Sequence, residues 1–240
     1  MTDLVQLSGK VAVVTGGTRG IGRGIAGALL ELGASVIITG RNGQRAAAVA
    51  TELSVDSKTC EGVECDVKSL VSVAALAQHV REKYGRLDIL VNNAGVGGPR
   101  SLLHELNPDN WDEIFETNVR GVFFMMRELV PLITATGGGH IVNISSLAGK
   151  NPLPKGAAYS ASKWALNGLS YSVAEELRAH NIRVCVVCPG SVDTEFSPHS
   201  GKDPGKMLRP EDVAHVVTML VTQRQQSFVS EVLLRPSQKP

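Results

Sequence analysis

The chain has 240 residues, 43% apolar and 20% charged, a composition that suits a single α/β domain with one large sheet and excludes a disordered or fibrous chain. A formal net charge of +1 and an aromatic content of 4% give no bulk attraction to nucleic acid or anionic membrane and no stacking platform for bases. The opening MTDLVQLSGK has neither a basic nor an apolar leader, and no apolar run is long enough to span a bilayer, so a cytoplasmic protein is expected.

Residues 10–15 (KVAVVT) form a short apolar run, a glycine-rich turn follows, and residues 21–32 carry apolar side chains at helical spacing until Gly33. Residues 35–39 (SVIIT) read as the next strand and close a βαβ unit, which the right-handed crossover rule folds into a parallel pair. The pattern repeats. Helices are expected over 44–53 and 70–84, the second stopped by Gly85, and strands over 60–65 and 87–91. A helix starts near Pro108 with Asn107 as its cap, and another, or its continuation, runs over 117–134 until Gly137-Gly138-Gly139. Strands at 140–145, 182–188 and 228–234 alternate with a helix continuing to about 180 and one over 210–221. Such alternation predicts one domain over 1–240, a doubly wound parallel sheet of about seven strands covered by helices on both faces, with a short polar loop at 194–209.

Cys185 and Cys188 form a C-x-x-C, but in IRVCVVC, a strand-like run, positions three apart face opposite ways and cannot share a metal. Cys60 and Cys65 fail by the same parity if both lie in the strand there. All four read as reduced, mostly buried thiols, and the six histidines show no metal-ligand spacing, so no metal site is predicted.

The turn after the first strand is Thr15-Gly16-Gly17-Thr18-Arg19-Gly20-Ile21-Gly22. Its glycines permit a tight turn and close backbone approach to a pyrophosphate, and the next helix presents free N–H groups and its positive end. Between a strand and a helix of a βαβ unit, this predicts a dinucleotide site. The second strand ends Thr39-Gly40-Arg41, without the acid that usually holds an NAD ribose. Arg41, with Arg19 able to reach the same place, can instead bind a 2′-phosphate, which favours NADP. Asp66 can contact the adenine edge or cap the helix that follows.

Tyr159 and Lys163 lie four residues apart where a helix begins, and so share one face. At about 4 Å and an effective dielectric near 20, a cation favours the phenolate by roughly 4 kcal/mol, or about three pKa units, before desolvation. That would bring the tyrosine toward neutral pH, where it can exchange a proton with a substrate oxygen.

Together these residues resemble the short-chain dehydrogenase/reductase family from about Leu7 to Pro210, and within it bacterial 3-oxoacyl-thioester reductases and related carbonyl reductases. The turn looks like the family's T-G-x-x-x-G-x-G, Asn92-Asn93-Ala94-Gly95 like its N-N-A-G, and Tyr159-x-x-x-Lys163 like its Y-x-x-x-K. Ser146, thirteen residues before Tyr159, stands at the usual place of the catalytic serine, with Ser145 the lesser candidate, and Asn118 at that of the fourth catalytic residue. Pro189-Gly190-Ser191-Val192-Asp193-Thr194 resembles the segment that meets the nicotinamide.

The resemblance implies a Rossmann-type fold and reduction of a ketone by NADPH, with Tyr159 as general acid, Ser146 on the same oxygen, Lys163 on the tyrosine and the ribose, and Asn118 holding a water. Its implied cofactor contacts are Gly16, Thr18, Arg19, Gly20, Ile21, Gly22, Arg41, Asp66, Val67, Asn93, Ala94, Gly95, Tyr159, Lys163, Pro189, Gly190, Val192 and Thr194. It also implies a small carbonyl substrate, an acyl thioester among the choices, and a homotetramer or dimer built on the apolar faces around Phe123 and Trp164. Two departures matter. The chain ends SEVLLRP rather than in a glycine-rich segment, and the polar loop over 194–209 predicts an open site. An NAD-dependent alcohol dehydrogenase and a non-catalytic dinucleotide-binding protein stand as the alternatives.

Overall fold

The computed structural model describes residues 6–54, 59–196 and 201–240. Seven strands, β1 (Val11–Val14), β2 (Ser35–Gly40), β3 (Cys60–Glu64), β4 (Ile89–Asn92), β5 (Gly139–Ile144), β6 (Ile182–Pro189) and β7 (Glu231–Leu234), form one sheet in the order β3-β2-β1-β4-β5-β6-β7. Every neighbouring pair is parallel. Connecting them are α1 (Gly20–Glu31), α2 (Gly43–Leu53), α3 (Leu70–Tyr84), α4 (Pro108–Phe115), α5 (Gly121–Ala135), α6 (Ala157–Leu177) and α7 (Pro210–Val221).

The period-two rule sorts the strand residues onto two faces. Ala12, Val14, Val36 and Ile38 pack with Ile25 and Leu29 of α1 and Val213 and Val217 of α7. Val11, Val13 and Ile37 pack with Leu76 of α3, Met125 and Leu129 of α5 and Leu166 of α6. Because both faces are covered, the strands read as continuous apolar runs. The same parity places Cys60 in one layer and Cys65 in the other, and Cys185 in the first while the Cys188 thiol faces Asn167 of α6. All four thiols are free and buried.

Local chemistry fixes the helix ends. The side chains of Asn42, Ser69 and Asn107 accept from the backbone N–H groups of Arg45, Ser72 and Asp109 at the starts of α2, α3 and α4. Gly85 ends α3 in the left-handed region, with φ +67°. The expected helix over 117–134 proves continuous with α4 through a single π turn, Glu116–Arg120, which holds Asn118. The last strand is shorter than expected and starts at Glu231; upstream, the Gln223 side chain captures the Val229 N–H at 2.9 Å. Of the apolar positions on α5 and α6, Val122, Met126 and Leu166 are buried against the sheet, whereas Phe123 and Trp164 are 45% and 53% exposed.

At the amino edge of the sheet, buried Asp88 accepts from Lys10, Arg86 and the Val11 N–H. Beside it, the Nε2 of His140 lies 3.3 Å from an Arg183 nitrogen, and its Nδ1 has no hydrogen-bond partner. Burial, reinforced by the charges of Arg183 and Lys10 and only partly opposed by Asp88, pulls the His140 pKa down from 6.5 to about 4. Between those values the unfolded chain binds a proton that the folded chain refuses. Stability from this site is therefore present above pH 6.5 and lost as pH falls toward 4. Urea unfolding of the protein should show that loss, and His140→Gln should flatten it.

Candidate active site

The strand order reverses its winding between β1 and β4, and a crevice opens there at the carboxyl edge of the sheet. The Thr15 hydroxyl sits at this joint, donating to the Val91 carbonyl and accepting from the N–H groups of Asn93 and Ala94. The Asn93 side chain returns the link by donating to the carbonyls of Thr15 and Gly16. Gly16 has φ +62°, and a Cβ there would lie 3.0 Å from the Ala94 Cα, so the turn and the Asn92–Gly95 segment touch backbone to backbone.

The cleft above this joint has a volume of about 1010 Å³. Gly16, Thr18, Arg19, Gly20, Ile21, Arg41, Asp66, Val67, Asn93, Ala94, Gly95, Ser146, Tyr159, Lys163, Pro189, Gly190, Val192 and Thr194 all line it. Two of the expected residues stand behind its wall. Gly22 faces the Asn93 side chain, where a Cβ would come within 2.4 Å, so its place is helix packing rather than cleft contact. Asn118 is 1% exposed and braces the wall from behind. Its carboxamide accepts from the Val96 N–H at 2.8 Å and donates to the Val96 carbonyl and the Ser162 hydroxyl at 2.9 and 3.0 Å. Ser162 in turn donates to the Tyr159 carbonyl.

An elongated dinucleotide matches the chemistry of the cleft. The buried hydroxyls of Thr39 and Thr117 both line it, and neither has a hydrogen-bond partner among the described residues. Arg41 is exposed at the end of β2, and Arg19 lies 3.8 Å from Glu195 across the cleft. One Asp66 oxygen accepts from the Lys68 N–H, an Asx turn, while Ser69 is the true cap of α3.

At the other end, Lys163 is 4% exposed and its ammonium donates to the Ile144 carbonyl at 2.9 Å. Burial lowers its pKa to about 8. The ammonium stands 5.7 Å from the Tyr159 ring centre. The Tyr159 pKa is raised, contrary to the sequence-based expectation: burial dominates, and the nearby Ser146 hydroxyl and Arg100 charge oppose it only in part. The Lys163 head group is aimed at a carbonyl instead of the phenol, so the attraction reckoned at 4 Å does not develop. Tyr159 therefore holds its proton at neutral pH, the state of an acid. Ser146 faces the phenol and accepts from the Ala148 N–H, while Ser145 is buried and turned toward the Lys163 carbonyl.

A family model described as "short chain dehydrogenase" matches residues 10–205. The chain belongs to the short-chain dehydrogenase family. Among solved relatives of that family, a metagenomic short-chain oxidoreductase in complex with NADP is 46% identical, with a TM-score of 0.86, covering 97% of this chain and all of that one. A 3-ketoacyl-(acyl-carrier-protein) reductase from Brucella melitensis, complexed with NADH, is 30% identical with a TM-score of 0.87 and covers 95% and 97%. A 3beta-hydroxysteroid dehydrogenase of Mediterraneibacter gnavus is 40% identical over 194 residues, 81% of this chain and 70% of the relative. The family binds a nicotinamide dinucleotide, and the chain is an oxidoreductase that acts on a small molecule. No helix among the described residues is long and apolar enough to cross a membrane.

In this short-chain dehydrogenase, several lining residues were not singled out from the sequence. Phe196 brings its ring centre to 6.1 Å from that of Tyr159, and Leu153, Arg100 and residues 235–240 complete the wall. The Gly190 N–H donates to the Leu234 carbonyl, and a Cβ on Gly190 would lie 2.9 Å from Pro236, so the end of the chain is held over its own cleft. The open site expected from the loop over 194–209 is thus partly walled; residues 197–200 of that loop lie outside the described residues. Phe196 falls in the loop over 194–209 read as bordering the site, and Arg100 ends the glycine-rich NNAGVGGPR.

Asn118→Leu removes one amide that serves three partners and leaves the half-buried Val96 groups and the buried Ser162 hydroxyl short of a partner. A cost of about 1–3 kcal/mol is expected in urea unfolding, and Asn118→Asp should cost no less, because a buried carboxylate oxygen would then face the Val96 carbonyl to which the amide donates.

Proposed function

We propose that the protein is an NADPH-dependent reductase that converts a ketone, either a 3-oxoacyl thioester or a small carbonyl compound, to an alcohol. The observation that carries this reading is the meeting of half-buried Tyr159, Ser146 and buried Lys163 in one cleft that Arg19 and Arg41 also line.

A bound NADPH would supply the hydride that goes to the carbonyl carbon. Tyr159 gives its proton to the carbonyl oxygen as negative charge develops there, and Ser146 donates a hydrogen bond to the same oxygen. Lys163 would bond the nicotinamide ribose through its ammonium and, as the tyrosine ionises, support the phenolate. Asn118 fixes the Val96 loop and the Tyr159 helix relative to each other. Gly16, Gly20 and the start of α1 would face the pyrophosphate, Asp66 and Val67 the adenine, and Pro189, Gly190, Val192 and Thr194 the nicotinamide.

Arg41 and the absence of an acid at the end of β2 support NADPH over NADH; the two solved relatives hold NADP and NADH respectively. The exposed Phe123 and Trp164 on neighbouring elements support pairing of identical chains, a tetramer or a dimer, and a cytoplasmic location fits a reductase of soluble carbonyl compounds.

NADPH oxidation should be followed with 3-oxoacyl thioesters, small ketones and diketones, and with a cyclic ketone to cover the steroid activity named for one relative. Tyr159→Phe should lower kcat by roughly 10²–10⁴-fold while NADPH binding stays within a few-fold. Retention of turnover in that variant would remove the tyrosine from the mechanism. Arg41→Ala should weaken NADPH binding about 10- to 100-fold and leave NADH nearly unchanged. Equal losses for both cofactors would rule out the 2′-phosphate contact.

A further inference from the structure

The charges lining the cleft are unevenly spread. At the adenine end, Lys68 is paired with Glu113, Asp66 stands close by, and Arg41, the proposed 2′-phosphate contact, adds one cation. At the Tyr159 end the lining cations are Arg100, Lys202, Arg235 and Lys239, and the lining side-chain acid is Glu195, which is already near Arg19. Lys202 donates to the Ser191 hydroxyl beside the expected nicotinamide contacts. Arg100 has no carboxylate partner among the described residues. Its Nη1 lies 2.8 Å from where a Cβ on Gly156 would be, one turn before Tyr159 and at the positive end of α6. Its charge reaches the phenol, where it favours the ionised form. A cation this close to the proton donor is within reach of a group carried by the same small substrate. Arg100 is itself exposed, and Leu153 and Phe196 add apolar lining to the same cleft.

We propose that the preferred substrate is a short oxo acid, its ketone facing Tyr159 and Ser146 and its carboxylate held by the Arg100 guanidinium. A guanidinium meets a carboxylate through two parallel N–H donors, which fixes the orientation of the substrate as well as attracting it. Arg235 and Lys239 raise the local positive potential and draw the anion into the cleft. A Cβ on Gly156 would crowd both Leu153 and the Arg100 guanidinium, at 2.7 and 2.8 Å. The inference rests on the ketone-reductase reading: hydride from NADPH goes to the ketone carbon and the Tyr159 proton to its oxygen, while the carboxylate is unchanged.

The test compares 2-, 3- and 4-oxo acids with their methyl esters and with the coenzyme A thioester of the 3-oxo acid. At least one free acid should exceed its ester in kcat/KM by tenfold or more, and Arg100→Gln should collapse that ratio about 10- to 100-fold, with Arg100→Lys intermediate. The ratio is the readout because a general disturbance of the site slows acid and ester together. Esters that match or beat every acid, or a ratio that Arg100→Gln leaves alone, would overturn the proposal. So would a thioester that alone responds to Arg100→Gln, since the anion would then be the carrier's phosphate. A binding arm separates this inference from the reductase reading. By calorimetry, the oxo acid should bind the Tyr159→Phe protein and bind at least tenfold more weakly once Arg100→Gln is added. That result with no turnover anywhere would leave the anion site standing and remove the reductase; no binding would remove the anion site.

Discussion

One hydroxyl holds the site together. Thr15 ties the end of β1 to the segment leaving β4, at the place where the sheet reverses its winding. Two parallel strands diverge at such a point because their connections leave for opposite faces, and without a tie the crevice would be set by loop motion. From Thr15 the polar contacts run on through Asn93 to the glycine turn. Beyond Val96 a second chain passes through Asn118 to Ser162 and the first turn of α6. Each group in this path is buried or nearly so, which makes every lost partner costly and every position well defined. The cofactor cradle and the proton donor are thus parts of one framework, although α1 and α6 lie on opposite faces of the sheet.

The electrostatics of the site follow from burial more than from pairing. Removal from water pushes the Tyr159 phenol up and the Lys163 ammonium down, so each is drawn toward its neutral form. A protonated phenol suits an acid that acts as charge appears on a carbonyl oxygen. An ammonium whose pKa has fallen to about 8 still carries its charge at neutral pH.

Much of this architecture was legible in the chain. The alternation of short apolar runs with helical periodicity yields a parallel sheet because nothing else buries both faces of such strands, and all seven strands and their order of appearance follow from it. The parity of Cys185 and Cys188 forecast their opposite faces. What could not be read depended on long-range placement. The Tyr159 pKa turned on whether Lys163 aims at the phenol or at the Ile144 carbonyl, a choice set by the β5 backbone. The fold of residues 235–240 over the cleft rests on Gly190 meeting Pro236, and neither residue announces the other in sequence. Gly22 was legible as a required glycine, and part of its reason, the Gly16 carbonyl, is local to the turn, while the other part, the Asn93 side chain, comes from another βαβ unit.

The π turn at Glu116–Arg120 also sets where Asn118 sits. Such a turn accommodates one residue more than an α-helix would. Excising any one residue there would let regular i→i−4 bonding re-form, so the backbone itself would object little. Everything upstream would keep much the same rotation and rise relative to α5, because the wide turn absorbs the residue it carries. What would move is the turn itself, and Asn118 would leave the place from which it holds Val96 and Ser162. A deletion here would therefore leave Ile114 in the core and loosen the wall of the cleft.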